Sequence, residues 1–423
     1  MRVLMFGIGS RGDAQPMGIL GIELAARGHQ VVLGLSSDLA WVGEAFKLST
    51  VDMRISAREF LDSEDSRRWL ASGDYEAYVR WLVDYKNSIA DQLQTDLIAL
   101  AADADADVIV TGGATEAEVA VIAEASGTPL ICLHYAPFRS NSAFPHLLVS
   151  AEVMSAERNL ETHAQVEKAN WKAIGPYVNA LRAKVGLPAT DDSTPARLAR
   201  AGTTEIQAYS RFVVPELANW GPRRPLTGFL GLTPGQRGLL GEDAVDPALD
   251  EWLDDGEPPV YFGCGSMPVL DGGATLSLIE NVSRTLGVRA LVSADWNDVE
   301  LGATAGGRLL VVGALDHDAV LPRCQVAVQH GGAGTTATCL KAGLPTVVCS
   351  AFADQPFWGA QLQRLGVGTT LPFTELSEQT LTSAIEPLLA AGPRRRAAEL
   401  GVRLTFENGA ALAADALEKS LDL

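Results

Sequence analysis

The chain has 423 residues, of which 47% are hydrophobic and 20% are charged; this composition excludes a disordered protein, and the length suits two or three domains. The net charge of −19, with no Lys/Arg-rich stretch longer than the three arginines at 394–396, argues against a nucleic-acid or anionic-membrane partner. The apolar runs are far shorter than the ~20 residues of a membrane-spanning helix. The five Cys residues stand apart among apolar residues, as reduced core thiols do. We therefore expect a soluble cytoplasmic protein with no membrane span, either a monomer or a homodimer.

The first half of the chain alternates strands and helices in the manner of a parallel sheet. Residues 2–6 form a short apolar run that predicts a strand, and a Gly-rich turn follows at 7–13. A helix from about Pro16 ends at Gly28, before a second strand at 30–35. This order predicts a right-handed parallel crossover. A strand, a helix and a strand recur at 107–111, 116–125 and 130–133.

The second half repeats this pattern. A strand ending in a Gly-rich turn is predicted at 260–266, and further buried strands at 289–292, 309–312, 325–328 and 346–349. The Pro- and Gly-containing stretch 215–235 is the predicted linker. We expect an α/β protein with two doubly wound domains, at 1–221 and 222–402, and a C-terminal helix at 403–423 that packs back on the first. Ligands of such sheets bind beyond the carboxyl ends of the strands, so the cleft between the domains is the expected site.

A turn of small residues after one of these strands has the chemistry of an anion-binding site. Gln329 and His330 lead into Gly331-Gly332-Ala333-Gly334-Thr335-Thr336, where a helix begins. The missing side chains let an anion approach backbone N–H groups, and the helix N-terminus adds roughly half a positive charge. His330 and the two threonines can donate further hydrogen bonds. The residues alone also allow a tight turn that merely needs glycines.

A carboxylate and an amide follow the next strand along the chain. Asp354 and Gln355 come after the strand at 346–349, directly before Pro356. An acid and an amide side by side can pair with adjacent hydroxyl groups, as in a sugar. They can equally cap a helix that begins at Pro356, and the residues leave both interpretations open.

Together these two motifs closely resemble the donor-binding signature of family 1 glycosyltransferases of the GT-B fold. The string Asp-Gln-Pro-Phe-Trp-Gly at 354–359 is closest to the bacterial antibiotic and sterol-type branch. Further matches lie at 260–268, 316–322, 343–345 and 366–368, and together with a match at 9–13 they span most of the chain in the expected order.

The resemblance implies two Rossmann-like domains that face each other across a cleft, with a nucleotide sugar bound by the second domain. It implies that the diphosphate is held by His330, Gly332, Ala333, Gly334 and Thr335, with a further phosphate contact from Ser266. Asp354 and Gln355 would bind the sugar hydroxyls. The backbone around Ala314 and Leu315 would hold the base.

Two departures from the family pattern concern the base and the turn. Many relatives carry a His where this chain has Gln329, and plant-type members have an aromatic residue where Ala314 stands. The choice between UDP and TDP therefore stays open.

The Gly-rich turn near the start of the chain suggests a rival function. Residues 7–12 match the pattern G-x-G-x-x-G after a strand and before a helix, which is typical of a nicotinamide or flavin site. That fingerprint also needs an acid about 20 residues further on, at the end of the second strand. Gly34 and Leu35 stand there, and Asp38 comes later. We therefore expect no cofactor, and the nucleotide sugar as a co-substrate.

The same turn, at 9–13, resembles the N-terminal loop of antibiotic glycosyltransferases, in which the acid of the loop is the general base. The resemblance implies that Asp13 is the catalytic residue and that Arg11 neutralises the leaving diphosphate. Transfer to an alcohol needs a group that accepts the hydroxyl proton while the new C–O bond forms. The alternatives are that Asp13 caps the helix at Pro16 and that Arg11 is an ordinary exposed side chain.

Two longer regions with scattered aromatic residues, 56–85 and 138–171, are expected to shape a pocket for the acceptor. The candidate acceptor-binding residues are His134, Phe138, Trp69 and Tyr78, with Tyr75, Trp81 and Phe144 as further walls; each can equally be a core residue. The acidic run 103–107 imitates an Asp-x-Asp metal motif, but it precedes its strand and so lies away from the expected site. We expect no metal.

These observations and the resemblance predict an inverting glycosyltransferase. It would move a hexose, glucose from UDP-glucose, to a hydroxyl of a lipophilic natural product such as a polyketide, macrolide or ansamycin. Two alternatives stay open: a nucleotide-sugar epimerase of the same fold, and a catalytically silent helper protein. The presence of Asp13 argues against the helper.

Overall fold

The computed structural model describes residues 1–61, 63–72, 75–243, 246–263, 271–294, 301–303 and 307–422. Contacts divide the chain into two compact units. Unit 1 consists of Met1–Ser66, Asp74–Gly231 and Asn408–Leu423, and unit 2 of Arg67–Gly73 and Leu232–Glu407. Residues 222–231, assigned to the second domain from the sequence, thus lie in unit 1, and residues 403–407 lie in unit 2.

Unit 1 contains a sheet of six parallel strands. In chain order they are β1 (Arg2–Gly7), β2 (Gln30–Leu35), β3 (Ser49–Asp52), β4 (Val108–Gly112), β5 (Leu130–His134) and β6 (Thr204–Gln207). Their order across the sheet is β3-β2-β1-β4-β5-β6, with every neighbouring pair parallel. All five residues of β4 are buried, because a parallel sheet covered by helices has no solvent-facing side.

The helices of unit 1 carry clear start and stop signals. Up to residue 201 the helices are α1 (Arg11–Ala26), α2 (Ala40–Ala45), α3 (Ala57–Leu61), α4 (Glu64–Ser72), α5 (Tyr75–Ala104), α6 (Glu116–Ser126), α7 (Ala156–Lys184) and α8 (Thr194–Ala201). Of these, α4 belongs to unit 1 only up to Ser66, and its remaining residues belong to unit 2. The side chains of Ser10, Ser155 and Ser193 accept backbone hydrogen bonds in the first turns of α1, α7 and α8. Gly127 and Gly202 end α6 and α8 in the left-handed conformation that glycine adopts without strain.

Unit 2 contains a seven-stranded sheet. Its strands are β7 (Val260–Gly263), β8 (Ala290–Ser293), β9 (Gly302–Ala303), β10 (Leu309–Val312), β11 (Val326–Gln329), β12 (Thr346–Ser350) and β13 (Gly368–Pro372). They are ordered β13-β12-β11-β7-β8-β10-β9, and the two-residue edge strand β9 runs antiparallel to β10 while the other neighbours are parallel.

Helices cover the two faces of this second sheet. They are α9 (Pro234–Leu239), α10 (Pro247–Asp254), α11 (Gly272–Leu286), α12 (His317–Val320), α13 (Ala333–Lys341), α14 (Gln355–Arg364), α15 (Glu378–Ile385) and α16 (Ala391–Thr405). Alternate residues of β7 enter different cores: Val260 and Phe262 join one cluster, and Tyr261 joins the other. No helix in the described part of the chain is both long and apolar enough to span a membrane.

The predicted α/β class with two doubly wound sheets is confirmed. The apolar runs identified in the sequence are the central strands of the two sheets. Four further strands escaped prediction: β3, β6, β9 and β13. All four are edge strands, and they are short or rich in Thr, Ser and Gly, so they contain no apolar run to detect.

The last helix of the chain, α17 (Gly409–Ser420), packs against α1 and β6 within unit 1. Arg27 Nη1 lies 2.6 Å from Asp415 Oδ1 and 2.8 Å from Glu418 Oε2, and His29 Nε2 lies 2.9 Å from Glu418 Oε1. Gly409, the first residue of the helix, lies so close to the backbone at 228–229 that the position has no room for a side chain. A Cβ there would lie 2.3 Å from the carbonyl oxygen of Phe229.

We predict that Gly409→Ala destabilises unit 1 by about 1–3 kcal/mol, because the new methyl group would overlap backbone that cannot move aside as a side chain can. Thermal unfolding followed by circular dichroism measures the effect. Gly235→Ala in α9 is the matched control: nothing lies within 4 Å of its Cβ, so its melting temperature should stay at or above that of the wild type. Equal melting temperatures for Gly409→Ala and the wild type would contradict the packing described.

Candidate active site

The candidate residues of unit 2 follow the carboxyl ends of neighbouring parallel strands. β11 lies between β12 and β7, and the turns after β11 and β12 therefore meet at one edge of the sheet. The loop after β10 opens at the same edge, since β10 is parallel to β8 and through it to the rest. This edge is where ligands of doubly wound sheets bind. Ser266, predicted to contact a phosphate, lies outside the described residues.

The turn from β11 to α13 is fixed by a glycine and a buried amide. Gly331 has φ +98°, and a Cβ on it would lie 2.7 Å from Val348 Cγ1, so both conformation and space demand glycine. Gln329 is buried; its Oε1 accepts from the Gly331 N–H at 2.5 Å, and its Nε2 donates to Thr336 Oγ1 at 3.0 Å. Gln329 therefore joins both ends of the turn. We identified it in the sequence only as a departure from a family pattern.

Helix α13 begins directly in this turn, with Gly332 as its N-cap. Among the described residues no side chain caps it, and its first backbone hydrogen bond runs from the Thr336 N–H to the Gly332 oxygen at 2.9 Å. The amide groups of Ala333, Gly334 and Thr335 precede that bond and have no partner inside the helix. They present N–H donors and the positive end of the helix dipole to the carboxyl edge of the sheet.

The His330 ring lies over the same turn. A Cβ on Gly332 would be 2.5 Å from His330 Nε2, so the ring nitrogen takes the space that a larger residue would need. Nδ1 is buried and has no hydrogen-bond partner among the described residues. Burial lowers the pKa of His330 to about 4. At neutral pH the ring is therefore uncharged and can act as an N–H donor but not as a cation.

Asp354 and Gln355 lie at the start of α14, and the structure separates their roles. Gln355 is buried, and its Oε1 accepts from the N–H groups of Ala351 and Phe352 at 2.8 and 3.2 Å. It therefore holds the loop that follows β12. Asp354 Oδ2 accepts from the Trp358 indole N–H at 2.8 Å, and the Asp354 side chain makes no capping bond. Burial raises the pKa of Asp354 to about 6.

The loop after β10 carries the two residues predicted to hold a base. Ala314 is exposed, whereas Leu315 is buried and packs with Tyr261 and Leu321 in one of the cores of unit 2. The Leu315 side chain therefore anchors the loop, and the backbone before it stays at the surface.

In unit 1, Asp13 belongs to a capping box at the start of α1. The helix begins at Arg11, not near Pro16 as predicted, and Ser10 is its N-cap. Asp13 Oδ2 accepts from the Ser10 N–H at 2.8 Å and from Ser10 Oγ at 3.1 Å. Gly9 has φ +135°, and a Cβ there would lie 2.4 Å from Asp13 Oδ2. The glycine thus leaves the space that the carboxylate occupies.

Tyr135 contacts the first turn of α1, to which Arg11 also belongs. Tyr135 donates its hydroxyl to the Asp13 backbone oxygen at 3.3 Å; burial and the Asp13 charge raise the Tyr135 pKa well above its ordinary value. The Arg11 guanidinium lies 5.9 Å from the Trp41 ring centroid, and its Nε donates to Gln15 Oε1 at 2.9 Å. Arg11 is thus partly held along α1.

His134 does not line a surface open to an acceptor; it is a buried member of a charged network. Its Nε2 lies 2.7 Å from Glu116 Oε2, and its Nδ1 lies 3.2 Å from the Gln207 amide nitrogen. Arg139 Nη2 reaches the same Glu116 oxygen at 2.6 Å, and Arg139 Nε pairs with Glu205. With both ring nitrogens engaged inside unit 1, His134 is a structural residue, and its assignment to the acceptor is corrected.

The same network includes a cluster with metal-ligand chemistry, formed by Glu116, Cys132 and His134, whose ligand atoms lie within 4.8 Å of one another. The Arg139 guanidinium already holds the Glu116 oxygen that would face a cation. Burial would raise the pKa of Glu116, but Arg139 and His134 lower it below its usual range. Burial raises the pKa of Cys132 well above its usual value, so its thiol stays protonated. Arg139 is therefore the cation that these side chains surround.

The remaining aromatic candidates have different surroundings. Phe144 is buried in unit 1, and Phe138 is half-buried with its ring centroid 6.4 Å from that of His134. Trp69 is buried, belongs to unit 2, and packs edge-to-face on Phe352 at 5.1 Å between ring centroids. Phe352 lies in the loop that Gln355 holds. The side chain of Tyr78 lies outside the described residues.

Comparison with known proteins places these motifs in a family. A family model described as "Erythromycin biosynthesis protein CIII-like, C-terminal domain" matches residues 262–411. An uncharacterized glycosyltransferase of Mycobacterium leprae is 33% identical over 99% of this chain and 96% of its own length. A sterol 3-beta-glucosyltransferase of Arabidopsis thaliana is 28% identical over 100% of this chain and 68% of its own.

A solved structure shares the fold. The glycosyltransferase of kitacinnamycin superposes with a TM-score of 0.71 over 99% of this chain and 98% of its own, at 19% identity. At 19% identity, this structural similarity shows only a shared fold. The protein from Mycobacterium leprae, in contrast, is 33% identical over nearly the whole chain, which shows that the two proteins are related. The chain is therefore a sugar-transferring enzyme that belongs to the family 1 glycosyltransferases of the GT-B fold, in their antibiotic and sterol-type group.

Proposed function

We propose that the protein is an inverting glycosyltransferase that moves a hexose from a nucleoside diphosphate sugar to a hydroxyl group of a lipophilic natural product. The observation that carries the proposal is the uncapped start of α13, where successive backbone N–H groups and the His330 ring surround one turn. Such a turn suits the diphosphate of the donor. UDP-glucose is the proposed donor, with TDP as the other candidate nucleotide.

The turn would stabilise the leaving group largely through neutral groups. The amides of Ala333, Gly334 and Thr335 and the Thr335 hydroxyl can donate to phosphate oxygens. His330 adds an uncharged N–H donor, since burial keeps its ring neutral at pH 7. The partial positive charge of the helix start supports all of these donors as negative charge grows on the departing diphosphate.

Asp13 would accept the proton of the acceptor. The acceptor oxygen attacks the anomeric carbon from the face opposite the diphosphate, its proton passes to the Asp13 carboxylate, and the bond between the anomeric carbon and the phosphate oxygen breaks with its electron pair. The products are an inverted glycoside and a free nucleoside diphosphate. The two hydrogen bonds from Ser10 orient the carboxylate for this transfer.

The sugar and the acceptor are proposed from chemistry and kinship. Asp354, with Oδ2 on the Trp358 indole, follows β12, the strand next to β11, and would accept from hexose hydroxyls. A sterol glucosyltransferase among the relatives supports glucose and a hydroxylated lipophilic acceptor. The erythromycin-type family model likewise supports a natural-product acceptor.

The first test is nucleotide binding, measured by isothermal titration calorimetry with UDP and with TDP. A crystal soaked with the nucleotide that binds more tightly then locates the site. We predict that Gly332→Ala weakens this binding about tenfold or more, because the new methyl group would collide with His330 Nε2 in the turn. Gly392→Ala in α16, where the nearest atom is a flexible arginine end at 3.6 Å, should bind as the wild type does.

Two results would overturn the proposed donor site. One is a nucleotide bound only at residues 7–12, as in a dinucleotide enzyme. The other is an unchanged affinity in Gly332→Ala. Release of the nucleoside diphosphate with a panel of hydroxylated lipophilic compounds, and isolation of a glycosylated product, separates a transferase from an epimerase.

The role of Asp13 can be separated from its place in the capping box. Asp13→Asn keeps an oxygen for the Ser10 N–H but cannot take a proton, so turnover should fall about 100-fold while the dissociation constant for the donor nucleotide stays unchanged. Ser10→Ala is the matched variant: it removes the cap and lowers the melting temperature, yet it keeps the carboxylate and most of the turnover. Full turnover in Asp13→Asn would refute the role of general base.

Binding of the sugar should depend on pH through Asp354. Its pKa is about 6, and the ionised form is the one that accepts hydrogen bonds from hydroxyl groups. As the pH falls through 6, the affinity for UDP-glucose should therefore fall about tenfold relative to that for UDP, which has no sugar. Calorimetry between pH 5 and 8 measures the ratio. Asp354→Asn should abolish this dependence, and a wild-type ratio that is constant with pH would exclude Asp354 from the sugar site.

A further inference from the structure

A buried arginine lies behind the loop after β10. Arg237, on α9, is 5% exposed. Its Nη2 and Nε lie 2.8 and 3.1 Å from Asp318 Oδ2, and its Nε lies 3.3 Å from Asp316 Oδ1. Its Nη1 lies 3.6 Å from Glu242 Oε2. One guanidinium thus lies among three carboxylates. Two of them, Asp316 and Asp318, belong to the start of α12, the helix that follows the loop.

Those two carboxylates fix the end of the loop in space. Asp316 is the N-cap of α12, and its Oδ1 accepts from the N–H groups of Asp318 and Ala319 at 2.9 and 3.2 Å. Arg237 therefore contacts the capping group itself and the first turn of the helix that follows the loop. The loop and α12 can move only if these charged contacts break together.

The loop is held from the sheet as well. The hydroxyl of Tyr261, a buried residue of β7, lies 3.0 Å from His317 Nε2. The Leu315 side chain is buried in the core beside it. Gly313 is half-buried and Ala314 is exposed, so they form a short segment between fixed points, which is what a rigid contact for a planar base requires.

We propose that Arg237 is a positioning residue for the nucleobase of the donor, acting through the loop after β10 without touching the ligand. The inference rests on the proposed function, since it assumes a nucleotide whose base meets this loop. Without Arg237, the three carboxylates that it separates would repel one another, and the capped turn would move away from its place. The loss would concern the base and leave the phosphate turn after β11 intact.

The choice of arginine follows from geometry. The planar guanidinium presents donors in several directions at once, and here three of its nitrogens face three different carboxylates. A lysine ammonium at the end of a flexible chain can satisfy one or two of these partners but cannot span all three. Arg237→Lys should therefore restore the function of the loop only in part.

The test compares a ligand that contains a nucleobase with a ligand that has the diphosphate group only. Calorimetry on the full chain measures the dissociation constants of UDP and of inorganic pyrophosphate. In Arg237→Met the affinity for UDP should fall about tenfold, while the affinity for pyrophosphate changes less than about twofold. Arg237→Lys should lie between Arg237→Met and the wild type. Asp318→Asn, at a more exposed partner, should act in the same direction and serves if Arg237→Met does not fold.

The matched control is Arg323→Met. Arg323 also joins two acids, Asp250 and Asp254, at 2.5 and 2.6 Å, but it precedes β11 and so lies at the amino edge of the sheet. It should change neither affinity. His330→Ala provides the opposite pattern, since it should weaken UDP and pyrophosphate together.

Each outcome bears on a different claim. If the wild-type protein binds no nucleotide, the proposed function fails. If it binds UDP but Arg237→Met and Asp318→Asn bind UDP as tightly as the wild type, the inference about Arg237 fails and the proposed function stands. A parallel loss of UDP and pyrophosphate affinity in both variants would show general damage to unit 2 and would also overturn the inference.

Discussion

The proposed donor site depends on how abruptly the buried strand β11 becomes the helix α13. Between Gln329, the last residue of β11, and Ala333, the first of α13, three residues reverse the chain under the side chains of the neighbouring strand and helix. Gly331 meets Val348 and Gln355 where any side chain would stand, and Gln329 bridges the turn from below. No side chain caps the start of α13, so its first amide groups are available to the anion that we propose binds there.

In both units a buried arginine forms ion pairs with carboxylates of several different segments. Arg139 lies between Glu116 and Glu205 in unit 1, and Arg237 lies among Asp316, Asp318 and Glu242 in unit 2. Each joins elements that are remote in the sequence. Removing one partner of a buried ion pair typically costs about 3–5 kcal/mol, because the other charge stays buried. Ion pairs of this kind can make a loop as rigid as the strand that it follows.

Two titratable groups of the proposed donor site differ in how their charge responds to pH. His330, with a pKa of about 4, stays neutral through the physiological range, whereas Asp354, with a pKa of about 6, changes charge just below it. Both shifts have one cause: burial disfavours the charged form, so it lowers the pKa of the base and raises that of the acid. In the proposed donor site, the His330 contact with phosphate would therefore not change with pH in this range, whereas the Asp354 contact with the sugar would.

The sequence by itself determined the fold class, the central strands and the two turns that carry the donor motif, because apolar runs and glycine spacing are local properties of the chain. The edge strands β3 and β13 were missed, since their polar residues form strands only beside a completed sheet. Tertiary structure alone decided that His134 is enclosed by Glu116 and Gln207, that Asp13 belongs to the capping box of Ser10, and that Arg237 pairs with Asp318, 81 residues away. Burial and long-range charge pairing arise from the register of sheets and helices, and a side chain's neighbours along the chain do not contain that information.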